Sequence, residues 1–267
     1  MTFKPSLGSI AKSYHSDKGY FGPSNLWSGN NYVDTYEAYL RDRSEDELTM
    51  LEIGIGVPGE NWDSKIAKGE NIQGGASLKM WYDYLPKAQI YAVDINPATH
   101  LENERIKTFI VDQGDPEQLK KFKSKIGDVK FDFIIDDGSH RGDHQQISLE
   151  HLWPLLKHGG YYFIEDLNDR GFGEKEFGRH GTKDIVSTRK FFLEYLETNT
   201  PLEPNAFVKT DMLDEIADIR FHTPMPKLTL RHFAIELIRK FLKKDALGIS
   251  QVQFADKSFK MVALKKS

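Results

Sequence analysis

Two acidic clusters stand at the ends of short apolar runs. Asp136-Asp137-Gly138-Ser139-His140 follows Phe131-Asp132-Phe133-Ile134-Ile135, and Glu165-Asp166 follows Tyr161-Tyr162-Phe163-Ile164. Runs of this length read as buried strands. Carboxylates that close buried strands lie at the rim of a sheet, where open α/β folds bind ligands. Several carboxylates and a histidine converging there suggest a hard divalent cation beside a general base. That pairing points to an enzyme.

A second group of residues speaks of a cofactor. Leu51-Glu52-Ile53-Gly54-Ile55-Gly56 ends an earlier apolar run, and Gly54, Gly56 and Gly59 satisfy G-x-G-x-x-G. Glycines here let the backbone turn sharply and approach a ligand. A nicotinamide dinucleotide would need a helix to open within the glycines and offer its N-terminus to a pyrophosphate. Instead Pro58 and Asn61 lead into a polar loop reaching about Gly75. Asp94, the acid ending the next run, comes 40 residues after Gly54, not the roughly 20 of the dinucleotide fingerprint. Glu52 would repel a pyrophosphate and suit a cation. The set fits S-adenosylmethionine, which carries a sulfonium and an ammonium and no phosphate. Asp94 would then accept from ribose hydroxyls, and Asp112-Gln113 would lie near the adenine.

The elements that must position these groups alternate along the chain. Strands are expected near residues 48–53, 89–94, 107–111, 131–136 and 161–165, with helices near 77–85, 116–126 and 144–156. Such alternation argues for a parallel sheet with helices on both faces. Residues 1–47 read as an irregular N-terminal arm with one helix over 32–40, and 48–267 as the main domain. Residues 168–183 read as a loop long enough to be a lid, followed by a helix over 185–198. Residues 228–244 carry an amphipathic basic helix, read as packing on the sheet or a second subunit. A strand over 252–254, a turn and a strand over 258–264 form a terminal antiparallel hairpin.

Composition narrows the classes. With 267 residues the chain can bury a full core. A net charge of −4 gives no bulk basicity for nucleic acid. The absence of cysteine excludes disulfides, thiolate catalysis and cysteine zinc sites. No run approaches 18 apolar residues, so no membrane span is expected, and a cytoplasmic protein is the default.

These motifs resemble a family. Leu51-Glu52-Ile53-Gly54, Gly75-Ala76-Ser77-Leu78 with Trp81, Asp94-Ile95, Asp136-Asp137-Gly138-Ser139-His140 with His144-Gln145, Gly159-Gly160 and Glu165-Asp166-Leu167 are similar to those of metal-dependent sugar O-methyltransferases. Ser16-Asp17-Lys18-Gly19 also looks like the family's. Members often have a histidine shortly before the tyrosine matching Tyr32, where this chain has Asn30 and Asn31. The resemblance implies a Rossmann-like class I methyltransferase, α/β, with a mostly parallel seven-stranded sheet ending in an antiparallel hairpin. It implies S-adenosylmethionine held by Glu52, Gly54, Gly56, Ser77, Asp94, Asp112, Gln113 and Asp136. It implies Mg2+ held by Asp137, Glu165 and Asp166, His140 as general base, a sugar-containing acceptor and a homo-oligomer. Three readings stand beside it: a nicotinamide-dependent oxidoreductase, a cofactor-binding protein without turnover, and a zinc ion held through His140 and His144.

Overall fold

The computed structural model describes residues 4–19, 30–59, 73–167, 186–201, 208, 210–223 and 260–267. The apolar runs become β1 (Thr49–Ile53), β2 (Gln89–Asp94), β3 (Ile106–Ile110), β4 (Phe131–Asp136) and β5 (Leu156–Ile164). They alternate with α3 (Ala76–Tyr84), α4 (Pro116–Ile126) and α5 (Gly142–Leu152), and α6 (Thr188–Thr198) follows β5. Local chemistry sets the bounds. Asp115 caps α4, accepting from the backbone N–H groups of Glu117 and Gln118, with Pro116 next; this is the start signal expected of a helix. Gly127, at φ +65°, ends it.

The seven strands run in the order β3-β2-β1-β4-β5-β7-β6, where β6 is Ile216–His222 and β7 is Met261–Lys266. The pairs β3–β2, β2–β1, β1–β4 and β4–β5 are parallel. β7 runs antiparallel between β5 and β6. This is the architecture expected, a parallel sheet finished by antiparallel strands. Strand order reverses between β1 and β4, and the crevice beyond the strand ends at such a switch point is where ligands bind in open sheets. Ile53 of β1 pairs with Asp136 of β4, so the glycine motif and the first acidic motif leave the sheet side by side.

Apolar side chains fill both faces. One core joins Leu7, Tyr32, Val33, Tyr36, Leu78 and Trp81 to the sheet, and the other joins Leu119, Phe122, Leu149, Leu152, Phe191 and Phe192. On the first face Tyr36 meets Trp81 and Phe163 edge-on, with ring centroids 5.2 and 5.1 Å apart. Such pairs contribute about 0.5–1.5 kcal/mol beyond their buried area. They fix the roll of α2 (Val33–Leu40) and with it the direction of its tyrosines.

Three expectations are corrected. The arm contains α1 (Leu7–Ser13), capped by Ser6, whose hydroxyl accepts from Ser9 N–H. A seven-residue helix offers too little periodicity to stand out in sequence. β5 begins at Leu156, well before residue 161, and carries an irregularity at its glycines: Gly159 has φ +75°, and the β4–β5 register shifts between Phe131 and Phe133. The antiparallel partner before β7 is β6, masked in sequence by Asp218 and Arg220 on a half-exposed edge. Residues 252–254, the loop 168–183 and the helix 228–244 lie outside the described residues.

α7 (Thr210–Asp214) precedes β6. No helix among the described residues is long and apolar enough to cross a membrane.

Candidate active site

Gly54 locks two motifs together. Its φ is +78°, and an added Cβ would lie 2.3 Å from the Asp137 carbonyl oxygen and 2.5 Å from Gly138 Cα. Asp137 N–H donates to the Ile53 carbonyl at 2.9 Å. Gly54→Ala is therefore expected to force the 136–140 turn outward. Left-handed strain plus overlap should cost roughly 2–5 kcal/mol. Denaturant melts would measure it, and an unchanged midpoint would show that the turn yields freely.

Behind that turn, Asp136 is fully buried. It accepts from Ser148 Oγ at 2.5 Å and from Gln113 Nε2 at 3.0 and 3.2 Å. Burial lifts its carboxyl to about 6 against those hydrogen bonds. Gln113 Oε1 accepts from Ser139 N–H at 2.7 Å. Asp136 and Gln113 thus form a bracket under the turn. Asp112 accepts from Gly114 N–H at 2.8 Å. Asp94 braces the glycine loop, its Oδ2 accepting from Ile55 N–H at 3.0 Å and its Oδ1 from Asn96 N–H at 2.9 Å. α3 opens at Ala76, after Gly75 in a left-handed conformation, so no helix begins within Gly54–Gly59. Gly56, at φ +64°, has open space where a Cβ would stand.

Glu52 is fully buried and accepts from Ser77 Oγ at 3.0 Å. Burial lifts its carboxyl to about 7. The cation beside it is one to which the sequence reading gave a motif but no role: Lys18 Nζ, at 3.4 Å. The same ammonium donates to Asp137 Oδ2 and, at 2.8 Å, to Glu165 Oε1. Burial works against the Lys18 charge, but Asp137, Glu165 and Glu52 outweigh it and hold the ammonium well above the ordinary lysine range.

The second acidic pair leaves β5 on a bend. The strand ends at Ile164, and Asp166 adopts φ +48°. Neighbouring side chains on a continued strand would face opposite ways; the bend lets both serve one rim. Two tyrosines of the arm reach them. Tyr36 OH donates to Glu165 Oε1. Tyr32 OH donates to Asp166 Oδ1 at 2.9 Å and accepts from Asp166 N–H at 3.2 Å. Four residues apart on one helical face, they had a readable spacing; Lys18 had only its short motif. Burial, reinforced by those carboxylates, keeps both phenols well above their usual range, hence as donors.

Asp137, His140 and Asp166 bring ligand-type atoms within 4.8 Å of one another. His140 Nε2 lies 3.7 Å from Asp166 Oδ2. His140 has φ +57°; left-handed backbone at a non-glycine residue is the strain found at functional sites. Glu165 is not in that group. Its Oε1 is held by Lys18 and Tyr36, while its Oε2 is buried without a hydrogen-bond partner. Burial, then Asp137, pushes its carboxyl well above the ordinary range, with Lys18 pulling the other way. His144 turns away: its Nδ1 lies 3.0 Å from Ser139 Oγ. Three inner carboxylates around one ammonium, with two oxygens, Glu52 Oε1 and Glu165 Oε2, lacking hydrogen-bond partners, are short of positive charge. The set fits a hard divalent cation.

No protein-family model matches the chain. It is 34% identical over 166 residues to the demethylmacrocin O-methyltransferase of Streptomyces fradiae, covering 61% of this chain and 37% of that one. It is 36% identical over 205 residues to the 8-demethyl-8-(2-methoxy-alpha-L-rhamnosyl)-tetracenomycin-C 3'-O-methyltransferase of Streptomyces olivaceus, covering 75% and 48%. The chain thus spans less than half the length of these relatives. Among solved structures, the MycE methyltransferase of the mycinamycin pathway, in complex with Mg, SAH and mycinamycin VI, superposes with a TM-score of 0.62. The identity is 22%, over 99% of this chain and 55% of that one. The fold is that of class I methyltransferases, and the resemblance read from the motifs is borne out.

Proposed function

This chain is a relative of the sugar O-methyltransferases of macrolide and tetracenomycin biosynthesis, and on that premise we propose that it transfers a methyl group from S-adenosylmethionine to a hydroxyl of a sugar-bearing acceptor, with Mg2+. The observation that carries the proposal is the meeting of Asp137, His140 and Asp166 within 4.8 Å, one backbone contact from the Gly54 loop. The homo-oligomeric assembly and the cytoplasmic setting belong to the same proposal.

Asp137 and Asp166, with the unpartnered Oε2 of Glu165, would hold the ion. Bound there, Mg2+ would orient neighbouring hydroxyls and make the attacked one easier to ionise. The rest falls to the chain itself. His140 takes the hydroxyl proton at Nε2, the nitrogen facing Asp166, since Nδ1 is buried. Tyr32 holds Asp166 from behind. The Gly54–Gly56 loop lets the cofactor approach the backbone, and Asp94 accepts from its ribose hydroxyls. Ser77 keeps Glu52 in place, and Asp112, Gln113 and Asp136 shape the adenine end.

Calorimetric titration of S-adenosylhomocysteine and, separately, NAD tests the cofactor, each with Mg2+ and after chelation. Micromolar binding of S-adenosylhomocysteine alone is expected. Binding of NAD alone would overturn the methyltransferase reading and return Asp137, Glu165 and Asp166 to ordinary strand-end acids.

A further inference from the structure

Lys18 is among the largest fully buried side chains of the molecule, yet nothing in the reaction described above employs it. Its ammonium donates to Asp137 Oδ2 and Glu165 Oε1, and Glu52 Oε1 stands at 3.4 Å. Both Glu52 Oε1 and Glu165 Oε2 are buried without hydrogen-bond partners, so one cation does not satisfy this cage. Asp137 belongs to two groups at once: the inner one around Lys18 and the outer one with His140 and Asp166. Two-metal sites have the same plan, with two cations roughly 3.5–4 Å apart holding carboxylates between them.

The arm places the ammonium firmly. The Lys18 carbonyl accepts from Val33 N–H at 3.1 Å, at the start of α2, and Asn31 N–H donates to the Gly19 carbonyl at 3.0 Å. Gly19 is itself packed, with an added Cβ falling 3.1 Å from the Ser16 carbonyl oxygen and 3.2 Å from Ala11 Cβ. These contacts tie the backbone around Lys18 to α1 and to the start of α2.

We propose that Lys18 is a positioning residue whose ammonium fills the inner corner of the carboxylate cage, where a second divalent ion would otherwise sit, so that the site takes one ion, at the outer corner of Asp137 and Asp166. The inference rests on the metal-dependent reading of the site. Lys18 touches neither acceptor nor reacting atoms; it acts through Asp137 and Glu165, aiming their remaining oxygens outward.

Manganese titration of the chelated full chain, read by electron paramagnetic resonance, tests it. The wild type should bind one Mn2+. Lys18→Met should bind two, with the exchange-coupled spectrum of ions sharing a carboxylate, a signature that a merely structural lysine would not produce. Two ions in the wild type, or one uncoupled ion in folded Lys18→Met, would overturn the proposal. Asp166→Asn, altered at a partly exposed side chain, covers the case in which Lys18→Met does not fold. With the inner corner barred, it should lose Mn2+ affinity by at least the roughly 10–100-fold that follows loss of an outer-shell partner. Wild-type affinity in Asp166→Asn would put the ion at the inner corner and sink the idea. A wild type that binds no Mn2+ at all would instead remove the metal-dependent reading beneath it.

Discussion

Methyl transfer by His140→Ala is expected to fall by about 10²–10⁴-fold, the range that a positioned general base supplies, with S-adenosylhomocysteine binding unchanged. The separation follows from geometry. His140 stands on the 136–140 turn and directs Nε2 toward Asp166 at 3.7 Å. None of the loop contacts made by Gly54 or Asp94 involves its ring. Removing the imidazole takes away a proton acceptor and leaves the cofactor crevice standing. Stopped-time assays on a sugar acceptor, beside calorimetry, would measure both quantities. Undiminished turnover with a correctly folded variant would end the assignment of His140 as base. A protein that binds cofactor without turning over would show no difference, because its wild type would already be inactive.

The second large effect concerns stability, and its sign runs against the usual behaviour of carboxylates. Burial raises the Glu52 carboxyl from 4.5 to about 7. Between those values the folded protein holds a proton that the unfolded chain has released, so stability falls as pH rises through the window. Below about pH 4.5 both states are protonated and the penalty vanishes; above about pH 7 it is complete. The shift corresponds to at most about 3 kcal/mol. Glu52→Gln, which keeps the shape and the Ser77 contact, should therefore be more stable than the wild type at pH 8 and nearly equal to it at pH 4. Urea melts in chelator at both values decide the matter. An equal difference at the two pH values would mean that Glu52 is held by contacts rather than opposed by its charge.

The parallel half of the fold was legible because buried strands leave continuous apolar runs. β2 and β4 fall on the expected residues, and α4 carries Asp115, Pro116 and Gly127 as its own punctuation. The antiparallel half was less so. β6 is an edge strand with charges at Asp218 and Arg220, and its pairing depends on β7, distant in sequence. The acids of the site were legible by the same logic: they close strands whose order brings them to one rim. What joins them was not. Lys18, Tyr32 and Tyr36 reach Asp137, Glu165 and Asp166 across separations of 119 to 147 residues. Such contacts are set by how α2 docks through Tyr36 against Trp81 and Phe163, and no local pattern encodes docking. Nor did the spacing around Glu52 announce that Lys18, 34 residues earlier in the chain, would stand 3.4 Å from its carboxylate.

The position of β7 between β5 and β6 orders events on the ribosome. Among the described residues β6 has no strand neighbour except β7. Synthesis delivers β6 first, and its described partner, Met261–Lys266, follows only at the end of the sheet's chain order. Unpaired edges of this kind recruit other chains. The charges at Asp218 and Arg220, which hid the strand from a sequence reading, are of the kind that blunt an edge strand against pairing with other chains.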